Sequence, residues 1–220
     1  MDSDSEITVL NRLVREVNRG LPDGGDLAQQ LLGGTLPETL PWEAVGHLGA
    51  QAELAAKVLA RAVADHETGI SILLYGPPGT GKTTFAAALA ARVGVALRPV
   101  GESDESGDEP SRGDRLADLR LAHRLVAPGS AVLLFDEAED LFGGWVLEGM
   151  PARGSRVFTH RLLEQTAVPV IWTANNINQI SPAALRRMTL CLELRLPAES
   201  TRARLWSRHG SGGRRFAQRE

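Results

Sequence analysis

The sequence predicts an α/β fold, a three-layer sandwich with helices on both faces of a five-stranded parallel sheet. Three observations predict it. From Pro41 onward, short apolar runs alternate with segments of helical spacing, the pattern of repeated β-α-β units. The runs at 70–75 and 131–135 are almost continuously apolar, as strands buried on both faces must be. The first run also leads directly into a glycine-rich loop and then an alanine-rich helix, the order in which such sheets present ligands at their strand ends.

Taken in order, residues 6–18 place Ile7, Leu10, Val14 and Val17 on one helical face, and 20–25 stop that helix. Its apolar surface is too small to fold alone, so residues 1–40 read as an N-terminal helical segment and linker. Residues 41–198 read as the core domain. Helical spacing through Leu54, Val58, Leu59 and Ala62 gives its first helix. A strand at 70–75, a helix ending at Gly94 and a short strand at 96–100 follow. Residues 101–113 are acidic and rich in Gly, Ser and Asp, hence a loop. Asp104, Ser106 and Asp108 lack the glycine and glutamate positions of a calcium loop. A helix over about 114–126 turns Leu116, Leu119 and Leu125 inward. A strand at 131–135, a helix over about 155–164 and a strand at 168–173 come next. Ser181-Pro182 is a helix start, with a hydroxyl cap and proline in the first turn. A strand over 189–196 closes the pattern. Residues 199–220 begin a further helix and then become rich in Gly, Ser and Arg, a composition that reads as disordered.

Composition bounds the function. The chain has 220 residues, a net charge of −3 and one cysteine, Cys191; its pI is near 6.0. Such a balance gives no general attraction to nucleic acid or to anionic membrane. A lone cysteine forms no internal disulfide, which suits the cytoplasm. No apolar run has the length of a membrane span, and the acidic N-terminus does not resemble a signal peptide. His47, His66, His123, His160 and His209 lack metal-ligand spacing.

The chemistry is concentrated in Gly76-Pro77-Pro78-Gly79-Thr80-Gly81-Lys82-Thr83, which fits G-x-x-x-x-G-K-[ST] throughout. Glycines let the backbone turn its N–H groups inward, and the helix that follows adds the positive end of its dipole. Lys82 would reach the β- and γ-phosphates of a nucleotide, and the Thr83 hydroxyl would ligate Mg²⁺; Thr84 lies in the same first turn. Of 24 Lys+Arg, lysine occurs only at Lys57 and Lys82. A compact ammonium thus stands at the loop where a bulky guanidinium fits poorly.

The strand at 131–135 ends in Asp136-Glu137. Asp136 would hold Mg²⁺ through water, and Glu137 would orient or deprotonate an attacking water. Glu139 and Asp140 read as a helix-start cluster favoured by the dipole. At the tip of the strand at 168–173, Asn175, more than Asn176, is placed to contact a γ-phosphate or the lytic water. No Asn-Lys-x-Asp guanine-reading motif occurs.

Together these residues resemble the AAA+ ATPases. The phosphate loop, Leu133-Leu134-Phe135-Asp136-Glu137, Ile171-Trp172-Thr173-Ala174-Asn175 and Ser181-Pro182-Ala183-Ala184-Leu185-Arg186-Arg187 are similar to four motifs of that family, in its order. The resemblance covers about residues 41–198. It implies a P-loop NTPase sandwich of the AAA+ type, binding of ATP and Mg²⁺, and a homo-oligomeric ring, commonly a hexamer. By that resemblance Arg187, or else Arg186, would act as an arginine finger in a neighbour's site, and Val45, Gly46 and Leu48 would line the adenine pocket. The implied activity is ATP hydrolysis driving the remodelling of a protein partner. A DNA-processing relative, such as a clamp loader, and a nucleotide-binding module with little turnover are the alternatives. The sequence departs from the family in three places. No aromatic occurs in 101–109, where ring threading enzymes carry a pore-loop aromatic; Phe142 and Trp145 in the next loop could contact substrate or simply pack. Met188-Thr189-Leu190 replaces Gly-Arg-Phe. Beyond Arg202-Ala203-Arg204-Leu205-Trp206 the helical lid is missing, which suggests a shortened member.

Overall fold

The structure, a computed structural model, describes residues 41–101, 111–143 and 162–196. Expectations for 1–40, for Trp145, for most of the helix at 155–164 and for 199–220 lie outside these residues.

Five strands form one sheet: β1 (Ser71–Tyr75), β2 (Ala96–Pro99), β3 (Ala131–Phe135), β4 (Val170–Ala174) and β5 (Leu190–Glu193). Their order is β2-β3-β4-β1-β5, and every pairing is parallel. The predicted α/β sandwich with a five-stranded parallel sheet is therefore the observed fold. Parallel neighbours need crossovers. A 3-10 turn at Trp42–Leu48 and α1 (Ala50–Asp65) precede β1, and the crossovers contain α2 (Lys82–Val93), α3 (Arg112–Leu125), α4 (Glu139–Phe142) and α5 (Pro182–Leu185), with a 3-10 turn at Ile177–Gln179.

Alternation along the strands builds two cores. Ile72, Leu74, Val132, Leu134 and Ile171 face one way, under α1, α2 and the first 3-10 turn. Leu73, Leu133, Phe135, Val170 and Trp172 face the other way, under α3, α4 and α5. In α2, residues 86–88 and 90 are all alanine and buried, so this helix lies close against the sheet and leaves α1 room to pack over it.

That close approach corrects one expectation. Leu54, one of the residues whose spacing indicated this helix, is 49% exposed. The buried stripe of α1 is Ala52, Ala55, Ala56, Leu59 and Ala62. Small side chains let α1 settle on the alanine surface of α2, and Leu54 falls on the opposite side of the helical wheel. On α3, Leu119 is fully buried while Leu116 and Leu125 are half-buried against the same core.

Helix termini follow the sequence cues. Ser181 caps α5 by accepting from the Ala184 N–H, with Pro182 in the first turn. Helix α3 starts at Arg112, earlier than the expected 114. Ser111 and Asp114 form a capping box there, an arrangement worth about 1 kcal/mol.

His123, in the last turn of α3, is half-buried, with both ring nitrogens covered and neither hydrogen-bonded among the described residues. Burial pulls its pKa down to about 4. The unfolded chain takes up the proton near the ordinary value of about 6.5, whereas the native state resists until about 4. Stability is therefore complete above the unfolded value and is lost as pH falls through that window, by about 3 kcal/mol in all. Denaturant unfolding at a series of pH values should show this loss in the parent and a flatter profile in His123→Leu. Parallel profiles would exclude His123 as the cause.

Candidate active site

The C-terminal ends of β1, β3 and β4 converge on one edge of the sheet. The loop after β1 begins at Gly76, whose N–H donates to the Ala174 carbonyl at 3.1 Å and so fastens the loop to the tip of β4. Gly76 has φ +151, and a Cβ there would stand 2.1 Å from the Leu194 carbonyl oxygen. Only glycine fits. The Thr80 hydroxyl donates back to the Pro77 carbonyl at 2.9 Å, closing the turn.

Helix α2 then starts at Lys82. Its cap residue, Gly81, has no side chain to offer, and no side-chain cap is made. The first N–H groups of an α-helix have no intrahelical acceptor, so those of Lys82, Thr83 and Thr84 are left to an external anion. The residues present thus fit a phosphate group. They also fit Mg²⁺, because the Thr83 hydroxyl, half-buried in the first turn of α2, and the Asp136 carboxylate are hard oxygen donors. Glu139 Oε2 is buried without a donor among the described residues, and a hydrated cation would supply one.

Lys82 is 9% exposed. Its Nζ donates to the Gly76 carbonyl at 2.8 Å, the Pro77 carbonyl at 3.2 Å and Asn175 Oδ1 at 2.9 Å. The ammonium therefore bridges the phosphate loop and the tip of β4. Burial lowers its pKa from the ordinary lysine value, against the opposing pull of the Asp136, Glu139 and Glu137 carboxylates.

At the end of β3, Asp136 Oδ1 accepts a short hydrogen bond from the Thr173 hydroxyl. The same hydroxyl oxygen accepts from the Glu137 N–H at 3.3 Å, and the Ala138 N–H donates to the Thr173 carbonyl at 2.8 Å. Glu137 is exposed, and its φ is +54, a left-handed conformation uncommon for glutamate.

The acids that follow do more than start a helix. Glu139 Oε1 accepts from the Asn175 N–H by a short bond and from the Asn176 N–H at 3.2 Å. It thereby fixes the strand tip that carries Asn175. Asp140 pairs with Arg115 of α3. Asn176 is occupied locally, its side chain accepting from the Asn178 N–H at 3.0 Å.

The other expected residues make their contacts elsewhere. Arg187 pairs with Glu164 at 2.9 Å and donates to the Ala183 carbonyl at 3.0 Å; Arg186 beside it is exposed. Phe142, expected either to contact substrate or simply to pack, is 3% exposed and packs edge-on against Trp172 at 4.9 Å. The apolar environment at the end of β3 draws it in. Of the residues expected near adenine, Val45 is buried in the core, Leu48 packs against it and Gly46 is exposed.

Sequence reasoning missed Thr173, the bonding role of Glu139, and Arg115. A hydroxyl within an otherwise apolar central strand, and an arginine four residues before the buried Leu119, were the available signals.

Among the described residues, no group of three His, Cys, Asp or Glu side chains could hold a metal, and no helix is long and apolar enough to cross a membrane. Residues 72–196 match the pattern of the ATPase family associated with various cellular activities (AAA). The chain is 34% identical over 129 residues to the replication factor C large subunit of Pyrobaculum calidifontis, covering 59% of this chain and 29% of that protein. It is 33% identical over 135 residues to the replication factor C large subunit of Sulfolobus acidocaldarius, covering 58% and 28%. The matched segments thus span under a third of these relatives' length. Among solved structures, a chain of the HORMA:CdnC:Trip13 complex of E. coli MS115-1 has a similar fold, with TM-score 0.56 and 19% identity over 81% of this chain and 73% of that one.

Proposed function

This chain belongs to the ATPase family associated with various cellular activities, and from that premise we propose that it binds Mg²⁺-ATP at the β1–α2 loop and hydrolyses it to remodel a protein partner. The observation that carries this reading is the Lys82 ammonium. It bridges the loop carbonyls and Asn175 within the field of Asp136, Glu137 and Glu139.

In this reading, bound Mg²⁺ neutralises charge on the phosphates. Lys82 and the open N–H groups of α2 hold the anion, Thr83 and Asp136 position the cation, and Asn175 orients the terminal phosphate or water. Glu137 takes the proton from the attacking water. Arg187 or Arg186 completes the site across a boundary between subunits of a ring. For that, the Arg187–Glu164 ion pair must open, which costs little for a partly exposed pair.

A second reading is favoured by the relatives named as replication factor C large subunits: a clamp-loader-type ATPase that acts with DNA. The net charge of −3 weighs against a large phosphate-backbone interface. The deciding experiment is ATP turnover against protein concentration, with Lys82→Ala as the blank and with DNA present or absent. A rate per subunit that rises with concentration, vanishes in the blank and ignores DNA supports the first reading. Stimulation by DNA that fades with salt supports the second. ATP binding without turnover at any concentration would reduce the chain to a nucleotide-gated binding module.

A further inference from the structure

We propose that Arg115, on α3, is a positioning residue for hydrolysis, one that sets the plane of the Asp136–Glu137 peptide and so aims the Glu137 carboxylate. This rests on the reading of Glu137 as the water-activating group. Arg115 is only 8% exposed, a rare place for a guanidinium unless its donors are used. All three of its nitrogens are used. Nε donates to the Gly101 carbonyl at 3.1 Å. Nη1 bonds the Asp140 carboxylate, and Nη2 bonds the backbone carbonyl of Asp136, both by short contacts. The plane lies over the Phe135 ring, with Cζ 4.4 Å from its centroid.

The bond to Asp136 carries the argument. The carbonyl of the 136–137 peptide accepts from Arg115, and the N–H of the same peptide donates to Thr173 Oγ1. Both polar ends of one peptide unit are therefore fixed, by residues from α3 and β4. A planar peptide held at both ends has no freedom to flip. The rotation held this way is the one that gives Glu137 its φ of +54, a conformation that relaxes toward negative φ unless its surroundings impose it. Freeing the carbonyl would let the Glu137 side chain swing away from the phosphate loop.

Gly101 is part of the same device. Its φ is +71, and a Cβ there would lie 3.2 Å from Arg115 Cβ and 3.3 Å from Arg115 Cα. The absence of a side chain at 101 lets the arginine stem pass. A lysine would not substitute, because its point charge cannot serve the Gly101, Asp136 and Asp140 oxygens in one fixed plane.

The test compares the 220-residue parent, Arg115→Lys, Gly101→Ala and Glu137→Gln for kcat, KM for ATP, equilibrium nucleotide binding and thermal unfolding. Arg115→Lys is expected to lose about tenfold in kcat with KM and binding unchanged, the signature of a transition-state effect. Gly101→Ala, which keeps the guanidinium but displaces it, should shift kcat in the same direction. The Arg115→Lys loss should disappear in the Glu137→Gln background, because the two act through one group. Full kcat in both Arg115→Lys and Gly101→Ala, alongside an inactive Glu137→Gln, overturns this inference alone. An active Glu137→Gln overturns the reading beneath it. Equal losses of binding, stability and kcat in Arg115→Lys would make Arg115 a scaffold brace and also overturn the proposal.

Discussion

Glu137→Gln should lower ATP turnover by roughly a hundredfold or more while leaving ATP affinity unchanged. The expectation follows from how the four acids around β3 and α4 are occupied. Asp136 is tied to the Thr173 hydroxyl. Glu139 holds two backbone N–H groups, and Asp140 is paired with Arg115. Among the described residues, the exposed Glu137 carboxylate makes no hydrogen bond, whereas each of the other three acids has an oxygen engaged, so Glu137 is the acid with both oxygens open to a water. Glutamine keeps the volume and removes the basicity, and no contact to the phosphate loop is disturbed. Phosphate release and equilibrium nucleotide binding measure the two halves of the claim. Turnover within about twofold of the parent would transfer the role to another group.

Trp172→Ala should lower unfolding free energy by about 4 kcal/mol, a large share of the roughly 5–15 kcal/mol typical of a domain. Trp172 is fully buried on β4. Its ring packs against Phe135 at 5.3 Å and Phe142 at 4.9 Å. Among the described residues its Nε1 has no hydrogen-bond partner, so its value is in packing. Trp172→Phe keeps a ring and removes the orphan donor, and its loss should be nearer 1 kcal/mol. Phe135 immediately precedes Asp136, and Trp172 immediately precedes Thr173. Loss of the ring therefore disturbs the ends of the two strands that carry the Asp136–Thr173 hydrogen bond, and turnover should fall along with stability. Denaturant unfolding gives the first quantity. A loss for alanine no larger than that for phenylalanine would mean the surroundings collapse to fill the space.

How much of this was legible in the sequence depended on whether a feature is local. The phosphate loop, β3 and the Ser181-Pro182 helix start are set by short-range chemistry: glycine geometry, apolar continuity and hydroxyl capping. Each is found where the residues placed it. The phase of α1 was not legible, because Leu54 is the more apolar side chain and only the alanine surface of α2 reverses the preference. Phe142 stood open between substrate contact and packing for a similar reason, since its partner Trp172 lies on a strand 30 residues away. The polar framework was the least legible part. Thr173, Glu139 and Arg115 act through backbone groups of neighbours distant in the chain, and a backbone carbonyl leaves no mark in a sequence. Asn175 could be placed at a strand tip, but its contact with Lys82 depends on the β1–β4 pairing, which periodicity does not specify.

The Lys82 contacts have a consequence for the order of events when nucleotide arrives. An ammonium carries three hydrogens, and in this structure Gly76, Pro77 and Asn175 each receive one. A phosphate oxygen can join only by exchange, displacing one of the three. In the proposed reading, loading of the site would therefore work as a swap of acceptors on a cation already seated. If Asn175 is the partner given up, its amide turns free as the anion docks, and the tip of β4 reports occupancy through a single exchanged proton donor.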